Sequence, residues 1–295
     1  MGLYDSRHPP LSGCLYNARM NSPLDAVRIA DLSRAAAAGL EIEVVASTGS
    51  TNADLRARLH ELHQPYLLAA ENQTAGRGRA GRSWLAAAGD SLCFSLAWRF
   101  TGPIARLSGL SLAVGVALAE VLRARGSDVK LKWPNDLLLN EAKLGGILIE
   151  TMSSRSDTAV PAGAVWAVIG VGINVHANAE RDAGIGHAVA ALNQQASDRN
   201  ALLAMMADGL AAALTQFDAE GLAPFIQRWQ EWHAHAGQAV QILDAGTVQH
   251  QGVAIGIDDD GCLLLDTAQG QLRIAAGDVS LRSTSFKETA HAVTD

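Results

Sequence analysis

The sequence predicts a mixed α/β domain of about 200 residues followed by a small β-barrel, from three observations. Up to about residue 236, runs at helical spacing alternate with short runs rich in β-branched residues. After Gly237 the style changes to short strands joined by tight turns. The turns Asp244-Ala-Gly246, Asp258-Asp-Asp-Gly261 and Ala268-Gln-Gly270 each place a glycine where a hairpin needs one. The chain has 295 residues, with 48% hydrophobic and 18% charged content, enough core for one large unit and one small one.

The elements follow in order. Ser22-Pro23-Leu24-Asp25 opens a helix, with Ser as N-cap, Pro at the first helical position and Asp in the first turn. Gly39 closes it after an alanine run. Leu40 to Ala46 alternates as a strand. A helix starts at Thr51 and places Leu55, Leu59 and Leu62 on one side. Tyr66 to Ala70 is a short buried strand and Ser91 to Phe100 a longer one. Ile104 to Arg125 reads as one long helix with little polar face, hence central. Strands follow at Val129 to Trp133, Leu137 to Leu139, Leu144 to Glu150 and Val165 to Val175. Helices at Arg199 to Phe217 and Leu222 to His233 complete the large domain. The barrel strands are Val240 to Leu243, Val248 to Ile257, Leu263 to Asp266 and Gln271 to Ile274.

Composition excludes several function classes. A net charge of -7 argues against nucleic acid as the main partner. Cys14, Cys93 and Cys262 are odd in number and far apart, which fits reduced thiols, neither a disulfide framework nor a zinc site. The nine histidines form no HExxH pattern. The N-terminal stretch has no apolar core and contains two prolines, unlike a signal peptide. The apolar run Leu107 to Leu122 is broken by Ser108, Ser111 and Glu120, so it reads as a buried helix, not a membrane span. A cytoplasmic protein is expected.

Against that acidic background, Gly76-Arg-Gly-Arg-Ala-Gly-Arg82 packs three arginines and three glycines into seven residues. It matches the dinucleotide pattern G-x-G-x-x-G, but no helical pattern follows it, so a pyrophosphate-binding helix start is not indicated. The glycines leave the backbone free to close over a ligand. The arginines supply planar, permanently charged donors for carboxylate or phosphate. Trp84 offers a flat cover. A second cluster, Lys132-Trp-Pro-Asn-Asp136, sits between two apolar strands and by itself fits a turn equally well. Lys143-Leu-Gly-Gly146 places a lysine before a glycine pair. Ser50-Thr51-Asn52 precedes a helix, where capping alone is a sufficient explanation. Gly170-Val-Gly172-Ile-Asn174 puts glycines inside a β-branched run, a sign of close approach to the backbone.

The order and spacing of these five motifs resemble the biotin protein ligase family, from about Val44 to Val175, and Val279-Ser-Leu-Arg282 extends the likeness into the barrel. The resemblance implies a catalytic domain of the class II aminoacyl-tRNA synthetase and biotin–lipoate ligase fold, followed by an SH3-like barrel. It implies an N-terminal extension with one helix (1–40), a catalytic domain (41–236), the barrel (237–285) and a tail (286–295). The implied reaction joins biotin to ATP, with Mg²⁺ accompanying the nucleotide, as biotinyl-5′-AMP. Biotin then passes to a lysine of a carrier such as the biotin carboxyl carrier protein of acetyl-CoA carboxylase.

By the same resemblance, Ser50, Thr51, Asn52 and Gln73 surround the biotin head. Arg77, Gly78 and Arg79 form the adenylate loop. Gly146 and Gly172 let the backbone line the biotin pocket, with Gly145 and Gly170 beside them. Trp84, Lys132, Asn135, Asn174 and Arg282 lie on the nucleotide side. Lys143 and Arg79 stabilise the reacting groups, and Asp136 orients the incoming amine or accepts its proton. Too little chain precedes the first catalytic strand for a DNA-binding domain, so the monofunctional form without DNA binding is expected, as monomer or homodimer. A lipoate–protein ligase is the rival enzyme, and a biotin-dependent repressor the rival of another class.

Overall fold

A computed structural model describes residues 22–153, 164–193, 198–244, 246–276 and 279–283. The expectations for residues 1–21, Cys14 among them, and for the tail fall outside the described residues. The predicted first helix starts later and is split. Its N-cap is Asp25, not Ser22, and the Asp25 side chain accepts from the amides of Val27 and Arg28 to open α1 (Ala26–Leu32). Ser33 ends α1 and caps a second turn, α2 (Arg34–Ala37). The reason is tertiary: the Ser33 hydroxyl donates to Asp208 at 2.8 Å, and the same carboxylate accepts from Ala35 N–H at 2.9 Å. Gly39, at φ +106°, closes the pair as predicted.

β1 (Glu41–Thr48) and β2 (Tyr66–Gln73) are parallel neighbours joined through α3 (Thr51–Arg58). β3 (Ser91–Phe100) pairs antiparallel with β2. The predicted helix from Ile104 is broken. Gly109 sits at φ +77° against the Leu222 side chain, so a 3₁₀ turn precedes α4 (Leu110–Ala124). The segment Ile104–Ala124 has the length and composition of a membrane span. Nevertheless Leu112, Val114, Val116, Leu118 and Leu122 of α4 are buried in the core, as the central-helix reading expects. Short strands β4 (Lys130–Lys132) and β5 (Asp136–Leu139) lead into β6 (Ala142–Ser153) and β7 (Val165–Asn174). A short helix that the sequence reading missed, α5 (Ala179–Ala183), precedes the long α6 (Arg199–Glu220) and α7 (Ala223–Glu231).

The seven strands form one sheet in the order β1-β2-β3-β7-β6-β5-β4. Helices α1, α4, α6 and α7 pack on one face, where Phe94, Phe100, Leu118, Leu210, Phe217 and Trp229 share the main core. Each such side chain contributes roughly 1.5–3 kcal/mol on burial. Among the described residues the other face carries α3, over a small cluster of Leu55, Leu59, Leu68, Ala97, Trp166 and Val168. That thin second layer leaves room for a cleft at the α3 end of the sheet.

The barrel strands are β8 (Ala239–Asp244), β9 (Thr247–Ile257), β10 (Leu263–Thr267), β11 (Gly270–Ile274) and β12 (Val279–Ser283), ordered β11-β10-β9-β8-β12. Four were predicted; β12 was singled out only as a motif. The small domain is docked, not tethered. The Trp133 indole donates to Gly261 O at 3.1 Å, and the Ser108 hydroxyl donates to Asp260 O at 2.7 Å. Val240, Ile242, Leu263 and Leu281 join the main core.

Candidate active site

A cleft of about 600 Å³ opens between α3, the ends of β6 and β7, and the barrel rim. Every residue selected from the sequence lines it except Gly145 and Gly172. Gly172 lies beneath an indole. A Cβ there would stand 2.4 Å from Trp84, and one on Gly146 would meet Trp84 and the Lys143 side chain at 3.4–3.5 Å. Two glycines therefore make the seat on which Trp84 rests. The other two have different work. A Cβ on Gly170 would lie 2.3 Å from Asn52 Oδ1, and one on Gly145 would lie 2.8 Å from Gly172 O. The sequence reading gave all four the same role; the space at Gly170 belongs to the Asn52 amide.

The glycine-arginine stretch folds on itself. Gly78 N–H donates to Arg82 O at 2.7 Å, Trp84 N–H donates to Gly76 O at 2.9 Å, and Arg77 bridges Ser83. Gly76 must be glycine here, because a Cβ would sit 2.5 Å from Trp84 O. One Arg79 guanidinium nitrogen donates to Asn135 Oδ1 at 3.3 Å, and Asn135 Nδ2 donates to Ile147 O at 2.7 Å. The loop is thereby tied to the Lys-Trp-Pro-Asn-Asp turn.

The outer part of the cleft is strongly cationic. Among the described residues lining it, Arg77, Arg79, Arg82, Lys132, Lys143 and Arg282 stand with two carboxylates, Asp136 and Glu141. Asp136 binds Lys143 Nζ at 2.7 Å and lies 3.9 Å from Lys132 Nζ. The sequence reading did not give it this role of holding Lys143. Lys143 Nζ also lies 5.8 Å from the Trp84 ring centroid. Burial pushes the Lys132 pKa down; Asp136 opposes this, while Arg282, Lys143 and Arg82 add to it. Such a cluster repels itself and is relieved by an anion.

The inner end carries no charge. Ser50 occupies the N-cap position of α3 yet makes no cap hydrogen bond with its side chain, so capping does not explain it. Its buried hydroxyl lines the cleft. Thr51 N–H and Oγ1 lie 2.9 and 3.1 Å from Gln73 Oε1. Behind them Ser95 and Asn52 continue the network to Glu150.

Sequence reasoning missed the far wall. Residues Gly184 to Val189 cover the cleft, and Lys143 N–H donates to Ala188 O while Ala190 N–H donates to Lys143 O. Asn174 Nδ2 reaches the same Lys143 carbonyl at 3.3 Å. The buried Arg181 anchors this wall through Asp90 O, Ser91 Oγ and His176 O. The pair Gly184 and Gly186 was the available signal. Also missed was His235, buried at the barrel rim of the cleft.

The family model for the biotin/lipoate A/B protein ligase family matches residues 42–174, and that for the biotin protein ligase C-terminal domain matches 235–282. The chain is 39% identical over 249 residues to the bifunctional ligase/repressor BirA of Escherichia coli, covering 83% of this chain and 75% of that one. The chain belongs to the biotin protein ligase family. It is also 35% identical over 272 residues to the biotin–[acetyl-CoA-carboxylase] ligase of Mycobacterium tuberculosis, covering 88% of this chain and 97% of the other. Among solved structures it resembles the biotin protein ligase of Aquifex aeolicus in complex with biotin and ATP. The TM-score is 0.68 at 26% identity, and 82% of this chain and 99% of that one are covered. The expected fold of this family holds: a ligase catalytic domain followed by a small antiparallel barrel of the SH3-like kind.

Proposed function

We propose that this cleft joins biotin to ATP as biotinyl-5′-AMP and then hands biotin to a lysine of a carrier protein. The observation that carries this reading is the division of one cleft into an uncharged, hydrogen-bonding end and a cationic end. Biotin presents a neutral ureido ring at one extremity and a carboxylate at the other, and a nucleotide triphosphate must meet that carboxylate. Family membership and the likeness to a ligase that binds biotin and ATP support the same assignment.

In the first step a biotin carboxylate oxygen attacks the α-phosphorus and pyrophosphate leaves. Two anions must approach, and Lys143, Arg79 and Arg77 offset their repulsion. Asp136 keeps Lys143 aimed. Lys132, Asn135, Asn174 and Arg282 hold the nucleotide, and Trp84 covers the product. Mg²⁺ arrives with ATP as part of the substrate. The described residues hold no group of three or more His, Cys, Asp or Glu suited to a resident ion. In the second step the carrier lysine nitrogen attacks the acyl carbon, AMP leaves, and the amine loses a proton, for which Asp136 is the nearest placed carboxylate. We place this chemistry in the cytoplasm, where ATP and carboxylases occur together.

The experiment is incubation with Mg·ATP, biotin and a biotin carboxyl carrier domain, followed by intact mass. The carrier should gain one biotin. A carrier that gains lipoate instead, or nothing, would overturn the reading.

A further inference from the structure

The hydrogen-bond directions at the uncharged end can be fixed from outside the cleft. Glu150 does not line the cleft; it lies further along the same face of β6, two residues beyond Leu148, in an adjoining groove and paired with Arg56 at 2.6 Å. Its other oxygen lies 3.0 Å from Asn52 Nδ2, which also lies 3.3 Å from Leu148 O. A carboxylate and a carbonyl only accept, so the amide nitrogen of Asn52 must face them and its Oδ1 must face inward. There Ser95, fully buried, donates to Asn52 Oδ1 at 2.6 Å. Its one proton is then used. The Thr51 and Ser95 hydroxyl oxygens are 2.7 Å apart, so the proton between them comes from Thr51. The alternative acceptor for that proton, Gln73 Oε1, is more distant at 3.1 Å and is already served by Thr51 N–H. With Ser95 in place the Thr51 proton is held inside the protein, and lone pairs of Oγ1 face the ligand.

We infer that Glu150, through Asn52 and Ser95, makes the inner end of the cleft an obligatory acceptor at Thr51, and that this selects a ligand ring bearing an N–H donor. The inference rests on the functional reading above and deepens it. A ureido ring has two N–H groups. A dithiolane ring such as that of lipoate has none, and leaves the Thr51 lone pairs dry and unpaired. Loss of a fixed partner of this kind discriminates far better than shape alone. Glu150, Asn52 and Ser95 are thus positioning residues, acting through Thr51.

The test is biotin affinity of the full chain by calorimetry without ATP, with the KM for ATP and the melting temperature as controls. Wild-type protein that fails to bind biotin would overturn the functional reading itself. With wild type binding, Ser95→Ala should raise the biotin Kd about 10- to 100-fold with the KM for ATP within about twofold, because the freed Thr51 proton can turn toward the ligand N–H. Glu150→Met should raise it about 3- to 10-fold, less because Leu148 O still holds Asn52. Arg56→Met removes the same ion pair but leaves the Glu150 acceptor, and should leave biotin affinity unchanged. Equal effects of Glu150→Met and Arg56→Met would reduce Glu150 to a structural partner and overturn the relay. So would a folded Ser95→Ala protein with wild-type biotin affinity.

Discussion

The two ends of the cleft solve opposite physical problems. At the inner end Thr51, Asn52, Gln73 and Ser95 satisfy one another before any ligand arrives. At the outer end six cations and two carboxylates line the cleft, and the Lys132 pKa is lowered by burial and by its cationic neighbours. The first end is preorganised and its worth lies in direction. The second holds unrelieved repulsion, and its worth lies in what an anion releases. Substitutions at the two ends should therefore separate binding from chemistry.

The largest effect is expected at Lys143. Its ammonium sits between Asp136 and the Trp84 ring, on a strand start held by Ala188 and Asn174. Lys143→Ala should cut adenylate formation by at least about 10³-fold, because a preorganised charge at the reacting phosphate is removed. Biotin affinity should fall far less. Pyrophosphate exchange near the wild-type rate would remove Lys143 from the mechanism, and an equal loss in biotin binding would erase the distinction between the two ends.

Next comes Gly170→Ala. The new Cβ has no room beside Asn52 Oδ1, so the amide must turn away and the network behind Thr51 loses its direction. Biotin affinity should drop about 10- to 100-fold with the ATP KM little changed. Retained affinity in calorimetry would mean that Gly170 is a packing glycine and the inner end tolerates misdirection.

These two sites differ in how legible they were. Lys143 stands out in sequence because a lysine before two glycines inside a known spacing is a local pattern. Ser95 and Glu150 do not stand out. Each is one polar residue in an apolar strand, and their meaning depends on β3, β6 and α3 meeting in space. The broken helix at Gly109 was missed for the same reason: Leu222, far along the chain, fills the space over it. Strand existence, the domain change near Gly237 and the cationic loop came through because alternation, turn glycines and charge are local. The wall at Gly184 to Val189 was passed over because its pairing partner, Lys143, lies some forty residues away.

A smaller effect is expected at Arg79. It links the loop to Asn135 and is one of several cations at the outer end. Arg79→Gly should speed biotinyl-adenylate dissociation about tenfold, the worth of one charge-assisted hydrogen bond, with the first chemical step less affected. Released adenylate would then biotinylate lysines on bystander proteins. Stopped-flow dissociation measures the rate, and hydrogen exchange over Gly76 to Trp84, with and without adenylate, measures the ordering. An unchanged off-rate together with equal exchange in both states would show that this loop is no clamp.

The effect that is smallest at neutral pH belongs to the seam between the two domains. His233 and His235 are buried there, with the His233 ring 4.5 Å from Trp229 and neither His233 nitrogen hydrogen-bonded. Burial pushes both pKa values down from 6.5 to about 4, helped at His233 by His235 and at His235 by Lys132. The unfolded chain therefore binds protons that the folded one refuses. Stability is fully present above pH 6.5, and is lost progressively as pH falls toward 4. The shift corresponds to roughly 3 kcal/mol for each imidazole at the acid limit, and to almost nothing at pH 7. Replacing both with phenylalanine should leave the neutral melting temperature nearly unchanged and flatten its decline between pH 6.5 and 4. The affinity for biotin at the inner end should not follow that decline until the barrel itself releases. If melting temperature falls equally in the double variant, the acid sensitivity lies elsewhere, and the two imidazoles are bystanders at the seam.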